Sequence, residues 1–210
     1  MSSPGSTGAL VFVVDDDAGV REAVSSLLRS VGLDALALPS AQAFVEHERR
    51  DDAGCLVLDV RMPGLSGLDL QHELSRSAAP PPIVFITGHG DIPMAVRAMK
   101  LGAVEFLPKP FREHELLDAV ASAIRQDEQR RSRRATVLAI GARFDTLTER
   151  EREVLDPIVA SKLNKQVGAS LGVSEQTVKV HRHNIMRKMA ASSLPDLVRM
   201  IELLRADAGP

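Results

Sequence analysis

Four short apolar runs near the start of the chain each lead into residues able to handle charge. Residues 10–14 run into Asp15, Asp16 and Asp17, residues 55–58 into Asp59, residues 83–86 into Thr87, and residues 104–107 into Lys109, which stands between Pro108 and Pro110. Carboxylates gathered in one crevice repel, so they persist only if protonated or if a cation compensates them. Hard oxygen ligands with room left for water suit Mg²⁺, which takes one or two carboxylates and completes its shell with water and phosphate oxygens. A lysine and a hydroxyl alongside add a cation and a hydrogen bond for a phosphoryl group. The chemistry such a set performs is acceptance of phosphate by a carboxylate, with Mg²⁺ and lysine neutralising the charge. Singly, each feature has an ordinary explanation, since acidic residues start helices favourably and a lysine between prolines makes a solvated turn. Their occurrence at four run ends carries the reading.

For those tips to meet, the runs must lie side by side and point the same way. Residues 10–14, 35–38, 55–58, 83–86 and 104–107 are apolar and short enough for strands. Among them, residues 20–31, 41–49, 68–75, 93–100 and 113–125 carry apolar side chains at spacings of three and four, the period of a helix packed on one side. Five strand-then-helix units in succession predict an α/β domain with a parallel sheet between helices. The loops leaving the carboxyl ends of such a sheet converge on one crevice, where all the polar tips fall.

Residues 126–134 (QDEQRRSRR) hold no apolar side chain and read either as a solvated extension of the preceding helix or as a linker. Beyond them strand patterns are absent and the chain breaks into four helices. Thr148 and Glu151 form a capping box, Asn164 and Ser174 are placed to cap the next two helices, Gly172 to end the first of these, and a last helix covers 194–205. The expected division is a loose tail (1–8), an α/β domain (9–125), a charged helical linker (126–144) and a smaller all-α domain (145–210). The net charge of -2 hides an asymmetry: 17 acidic and 10 basic residues up to Ile124, then 11 acidic and 16 basic from Arg125 on. A polyanionic partner is therefore to be sought in the second part. The single cysteine, Cys55, excludes an intramolecular disulfide and points to a reducing compartment, the cytoplasm. No run approaches the roughly 18 apolar residues that cross a bilayer, so no membrane association is expected, and the opening MSSPGSTG lacks the basic and apolar stretches of a signal peptide.

Residues 163–189 read as a helix, a tight turn and a longer helix. On the longer one Val178, Ile185 and Met189 share a stripe that should pack inward, leaving Lys179, Val180, Arg182, His183 and Arg187 largely off it. From Ser174 to Met189 four Lys/Arg stand against one acid, with two histidines. An isolated basic amphipathic helix is usually a solvated face. The preceding turn, the cap and the positive domain turn this one toward a recognition helix in the major groove of DNA.

Taken together, the strand followed by Asp15-Asp16, then Asp59, Thr87 and Lys109-Pro110, resembles the receiver domain of two-component response regulators. The stretch 83–111 (IVFITGHGDIPMAVRAMKLGAVEFLPKPF) and the spacings of 28 from Asp59 to Thr87 and 50 to Lys109 are similar to its FixJ branch. Leu147-Thr148-Glu149-Arg150-Glu151, Asn164-Lys165 and Thr177-Val178-Lys179-Val180-His181 are similar to the LuxR/NarL helix-turn-helix signature. The resemblance covers residues 9–205. It implies a flavodoxin-like (βα)5 receiver joined to a four-helix helix-turn-helix domain, and a DNA-binding transcription regulator, not an enzyme. It implies that Asp59 accepts a phosphoryl group from a sensor histidine kinase. Asp16, Asp59 and the backbone carbonyl of Arg61 would ligate Mg²⁺, with Asp15 assisting through water. Thr87 would close on the phosphoryl oxygens, Phe106 would swing inward behind it, and Lys109 would pair with the phosphoaspartate. In the second domain Lys179, Val180 and His183 would face base edges, while Asn164, Lys165, Thr177, Arg182 and Arg187 would hold phosphates. The other partners implied are a second copy of the chain on phosphorylation, promoter DNA and RNA polymerase at an activated promoter.

Two alternatives stand beside this. Asp15-x-Asp17 after a strand also matches the nucleophile motif of haloacid-dehalogenase-type phosphatases, which would make Asp15 the covalent site. A receiver kept as an interaction module would work without phosphorylation. Three positions depart from the LuxR/NarL pattern. Pro157 within the domain's first helix costs about 3 kcal/mol in a helix interior and predicts a kink or early stop. Ser161 takes the usual glycine place after that helix, where a left-handed ending is strained, and Ala191 replaces a larger apolar residue, trimming a small core.

Overall fold

Every residue of the first strand, β1 (Leu10–Val14), is buried, yet successive side chains enter different cores: Phe12 and Val14 join one, Val11 and Val13 the other. A strand buried on both faces belongs inside a parallel sheet covered by helices. The computed structural model, which describes residues 9–48, 52–77, 79–88 and 91–207, has that sheet. Its strands are β2 (Asp34–Leu38), β1, β3 (Ala53–Asp59), β4 (Ile83–Thr87) and β5 (Glu105–Pro108), in that spatial order and all parallel. On one face, α1 (Ala18–Ser30) and the first turns of α5 (Glu113–Asp145) pack through Val24, Leu28, Leu116 and Val120. On the other, α2 (Ala41–Val45), α3 (Gly67–Leu74) and α4 (Ile92–Lys100) pack through Phe44, Leu70 and Ala98. The chain reverses its direction of travel across the sheet between β1 and β3, so the loops leaving those two strands part and open a crevice at their carboxyl ends.

The expected helix over 41–49 stops at Val45, because the residues after it offer the sheet no apolar side chain and the His47 amide turns back to the Phe44 carbonyl. Arg49 and the tail expected over 1–8 lie outside the described residues. Residues 126–134, open between helix and linker on sequence grounds, belong to α5. Seven of the nine are Gln, Glu or Arg, which are strong helix formers, and Asp127 is buried and paired with Arg130 one turn on. Two compact units divide between Arg130 and Arg131. Among the described residues, no helix is long and apolar enough to cross a membrane.

The second unit holds α6 (Glu149–Val159), α7 (Asn164–Leu171), α8 (Glu175–Met189) and α9 (Leu194–Asp207). They share a core of Leu155, Ile158, Val167, Ile185, Leu197 and their neighbours. The stripe expected on α8 is the buried one: Val178, Ile185 and Met189. Gly168 sits where α7 meets the turn into α8, and a Cβ there would lie 2.7 Å from the Val173 carbonyl oxygen. Only glycine lets the two helices approach so closely.

The Thr148 capping box forms, with the Thr148 amide donating to Glu151 Oε2 at 2.9 Å and the Glu151 amide to Thr148 Oγ1. The same carboxylate accepts Lys188 Nζ at 2.6 Å, which ties α6 to the end of α8. Burial alone would push the Glu151 carboxyl up, but the Lys188 contact and the Thr148 donors outweigh it and hold it below the usual glutamate value. A depressed folded pKa contributes stability that is complete above the ordinary value of 4.5 and is lost as pH falls through the lowered one. Glu151→Gln should therefore reduce the dependence of this unit's unfolding midpoint on pH below about pH 5, measured by helical circular dichroism. An unchanged slope contradicts the assignment.

Pro157 does not stop α6 at once: the helix runs two residues further and ends at Val159. The proline lies in the last turn, so the helical hydrogen bond it removes, to the Glu153 carbonyl, falls near the end of the helix and little helix follows it. The ending is left-handed at Ser161 (φ 59), and the Lys162 amide closes back on the Pro157 carbonyl at 3.0 Å. Holding a serine in that conformation costs about 1 kcal/mol, so Ser161→Gly should raise the stability of the unit by about that amount in urea unfolding. No gain would mean the strain is absent. A second left-handed ending, at Ala190 (φ 53) after α8, has no glycine to mark it in the sequence. Ala191 beside it is half-buried against the core.

Candidate functional site

The crevice between β1 and β3 gathers the charged tips. Asp15 follows β1 and is fully buried, and Asp59 ends β3 with 4% of its surface exposed. Lys109, after β5, reaches across to both: its Nζ lies 2.5 Å from Asp15 Oδ2 and 2.9 Å from Asp59 Oδ1. Burial pushes the Asp59 carboxyl above its ordinary value and the Asp15 charge adds to the push, while the Lys109 ammonium and the Arg61 amide act against it. Burial opposes the charge on Lys109 as well, but the two carboxylates prevail and raise its pKa. Two carboxylates on one ammonium leave the crevice negative, and Asp16, exposed immediately after Asp15, adds to that charge. Among the described residues, no three His, Cys, Asp or Glu side chains are gathered as a metal-binding group. The oxygen set of the crevice suits a hard cation that keeps much of its water shell and needs only one or two carboxylates.

Thr87 ends β4 buried, and its carbonyl accepts the Lys109 amide at 2.7 Å. Strand alternation puts Thr87 on the face of Phe85, and Phe106 pairs in register with Phe85, its ring centre 6.2 Å away. Phe106 is only half-buried. Asp17 faces elsewhere: its Oδ1 caps α1 by accepting from the Gly19 and Val20 amides.

Three supports of the crevice have no counterpart in the sequence reading. The Arg61 amide donates to Asp59 Oδ2 at 2.7 Å and so fixes the carboxylate. Arg21, one turn into α1, donates to the Asp15 carbonyl at 2.7 Å. A Cβ on Gly67 would lie 2.2 Å from the Asp59 carbonyl oxygen, so α3 starts against the backbone of Asp59 only because that position is glycine. The Gly-Leu-Ser-Gly run before α3 was the available signal.

In the second unit, Lys179, Val180, His183 and Arg187 of α8 are exposed, and Arg182 and Thr177 are half-buried. Lys179 pairs with Glu175 one turn before it at 3.2 Å. Ser174 caps α8, and its hydroxyl lies 2.8 Å from that of Thr177. Asn164 is not the cap of α7. That place belongs to Leu163, whose amide donates to Gln166 Oε1 at 3.0 Å, and Asn164 is the first helical residue. Lys165 beside it is exposed. Lys188, one of the four basic residues counted on α8, is committed to Glu151 and to the Thr146 carbonyl. The outward charge of α8 thus rests on Lys179, Arg182 and Arg187.

Comparison with known proteins gives two family matches: the response regulator receiver domain over residues 11–121 and the bacterial regulatory proteins of the luxR family over 145–201. The chain is 53% identical to nodulation protein W of Bradyrhizobium diazoefficiens over 97% of its own length and 89% of the relative's. It is 50% identical to response regulator protein TodT of Pseudomonas putida over 94% and 87%. The solved structure of response regulator StyR matches 92% of this chain and 98% of that one, at 52% identity and a TM-score of 0.80.

Proposed function

Because the chain belongs to the transcriptional response regulators that join a receiver domain to a LuxR-type DNA-binding domain, we propose that Asp59 is its phosphoacceptor and that phosphorylation there drives dimerisation and promoter binding. The observation that carries this is the Lys109 ammonium seated between Asp15 and Asp59 at the switch point of the sheet. An Asp59 oxygen attacks the phosphorus of a kinase phosphohistidine. The P–N bond breaks, its electron pair stays on the imidazole, which takes up a proton, and an aspartyl phosphate remains. Asp16, Asp59 and the Arg61 carbonyl, with Asp15 through water, would hold Mg²⁺. When bound, that ion supplies positive charge against the carboxylate and the incoming phosphoryl group. Lys109 moves from the carboxylate to the phosphoryl oxygens, Thr87 donates its hydroxyl to them, and Phe106 follows inward from its half-buried place. The chain is thereby a signal carrier and not an enzyme. It works in the cytoplasm, away from membranes.

Residues 9–125 act as receiver, 126–144 as linker and 145–210 as DNA-binding domain. Ile92, Val96 and Met99, at spacings of four and three on α4, are exposed and offer an apolar stripe for the dimer. Two copies present two α8 helices to paired half-sites, which multiplies weak contacts, and the bound dimer recruits RNA polymerase to activate transcription. Beryllium fluoride, an acyl-phosphate mimic, should raise both dimer fraction and DNA affinity. If both are unchanged, the proposal fails. On a random duplex pool, Lys179→Ala should alter the selected sequence, as expected of a base contact worth about 1–3 kcal/mol, while Lys165→Ala should weaken binding to all duplexes and reduce the salt slope by about one. If neither changes binding, α8 is not the recognition helix.

A further inference from the structure

Asp16 is exposed, and among the described residues its carboxylate makes no hydrogen bond or ion pair, so only its backbone decides where that charge stands. Both peptide groups flanking it are tied down. The one after it carries the Asp17 amide, which donates to Asp15 Oδ1 at 2.9 Å. The one before it carries the Asp15 carbonyl, which accepts from Arg21 Nη1 at 2.7 Å. A peptide group is a rigid plane, so holding that oxygen also places the Asp16 amide and Cα. Arg21 is half-buried in the first turn of α1, its own amide bonded to the Asp17 carbonyl at 3.0 Å. It forms no ion pair among the described residues, although Asp16 and Asp17 are close to it in the chain. Its guanidinium serves a neutral carbonyl and leaves the Asp16 charge unspent.

We propose that Arg21 is a positioning residue for cation binding in the crevice: it fixes the peptide before Asp16, so that this uncommitted carboxylate is held as a ligand for a divalent cation. The inference rests on the reading that the crevice takes Mg²⁺, and assigns a role to a residue outside the ligand set. Its sign is distinctive. A guanidinium close to the crevice repels a divalent cation, so if the charge of Arg21 were all that mattered, removing it would tighten binding. If Arg21 acts by holding Asp16, removing it weakens binding despite the loss of a positive charge.

The test is titration of the full chain with Mg²⁺, without phosphodonor, followed by backbone amide NMR. The parent should show saturable shifts at Asp16, Asp17 and Arg61. Arg21→Gln, which removes the charge and shortens the side chain, should bind Mg²⁺ about tenfold more weakly, as when a group that orients a metal ligand is lost. In an Asp16→Asn background the same substitution should cost nothing further, because the carboxylate through which Arg21 acts is gone. Arg21→Lys, which keeps the charge but replaces the planar fork with a point ammonium, should show the same dependence on Asp16, and it keeps the test valid if the glutamine variant does not fold. Binding by Arg21→Gln equal to or tighter than the parent's overturns the proposal. So does an equal loss in both backgrounds, which would make Arg21 a support of the fold and nothing more. Absence of saturable shifts in the parent would overturn the cation reading itself, and the proposal with it.

Discussion

Asp59→Asn is expected to reduce labelling by acetyl phosphate to background and to remove every phosphodonor-dependent gain in dimer and DNA affinity, while making the resting receiver more stable. The first effect follows because a carboxamide is no nucleophile toward phosphorus and the crevice places no second carboxylate in the same position. Asp15 is fully buried and its Oδ1 accepts the Asp17 amide. The second follows from electrostatics. The Asp59 carboxyl is held above its ordinary value of 3.8, mainly by burial, so its charged form is disfavoured in the folded state. A raised carboxyl pKa lowers stability as pH climbs from the ordinary value through the raised one, and the penalty is complete above that window. Asn removes the penalty without emptying the space, so the variant should be more stable than the parent at neutral pH. The gain should fade as pH falls back toward 3.8. A thermal midpoint for Asp59→Asn below that of the parent at pH 7 would contradict this description of the crevice.

Lys109→Ala should have the larger effect on stability. The ammonium touches both Asp15 and Asp59, whose side chains are 1% and 6% exposed. Removing it leaves two adjacent buried carboxylates without a cation, held only by the Asp17 and Arg61 amides. Breaking a buried pair in this way costs about 3 kcal/mol or more. The raised Lys109 pKa gives stability that is complete below the ordinary value of 10.5 and is lost as pH rises through the folded one. The defect should therefore be largest at neutral pH and should shrink in acid, as the carboxylates protonate. Millimolar Mg²⁺ should recover part of the loss if the crevice holds a divalent cation. Urea unfolding with and without Mg²⁺ measures both. A variant as stable as the parent would mean that the carboxylates do not depend on Lys109.

How far the sequence could be read follows from which interactions are periodic and which are not. The alternation of Phe12 and Val14 with Val11 and Val13, and the stripe Val178, Ile185, Met189, are spacing rules, so the sheet, its helices and the inward face of α8 were legible. The convergence of Asp15, Asp59 and Lys109 was legible because a parallel sheet forces its carboxyl ends together. Backbone contacts were not. Nothing in the spacing of Gly67 says that its Cβ would strike the Asp59 carbonyl, and nothing at Leu163 says that Asn164 is one residue too late to cap. Long-range polar contacts were equally hidden: Lys188 reads as one more basic residue on α8 until Glu151, thirty-seven residues earlier, claims it. Ser161 was seen as a misfit, but only the backbone shows that the chain accepts the left-handed strain and does not take another route.

The claim on which the rest depends is that Asp59 carries the phosphoryl group. The chain should be incubated with a phosphodonor and Mg²⁺, its acyl phosphate reduced with borohydride, and the modified residue located by peptide mass mapping. A single modified position at Asp59 is the predicted result. Modification at Asp15 would contradict it and reinstate the phosphatase-like alternative.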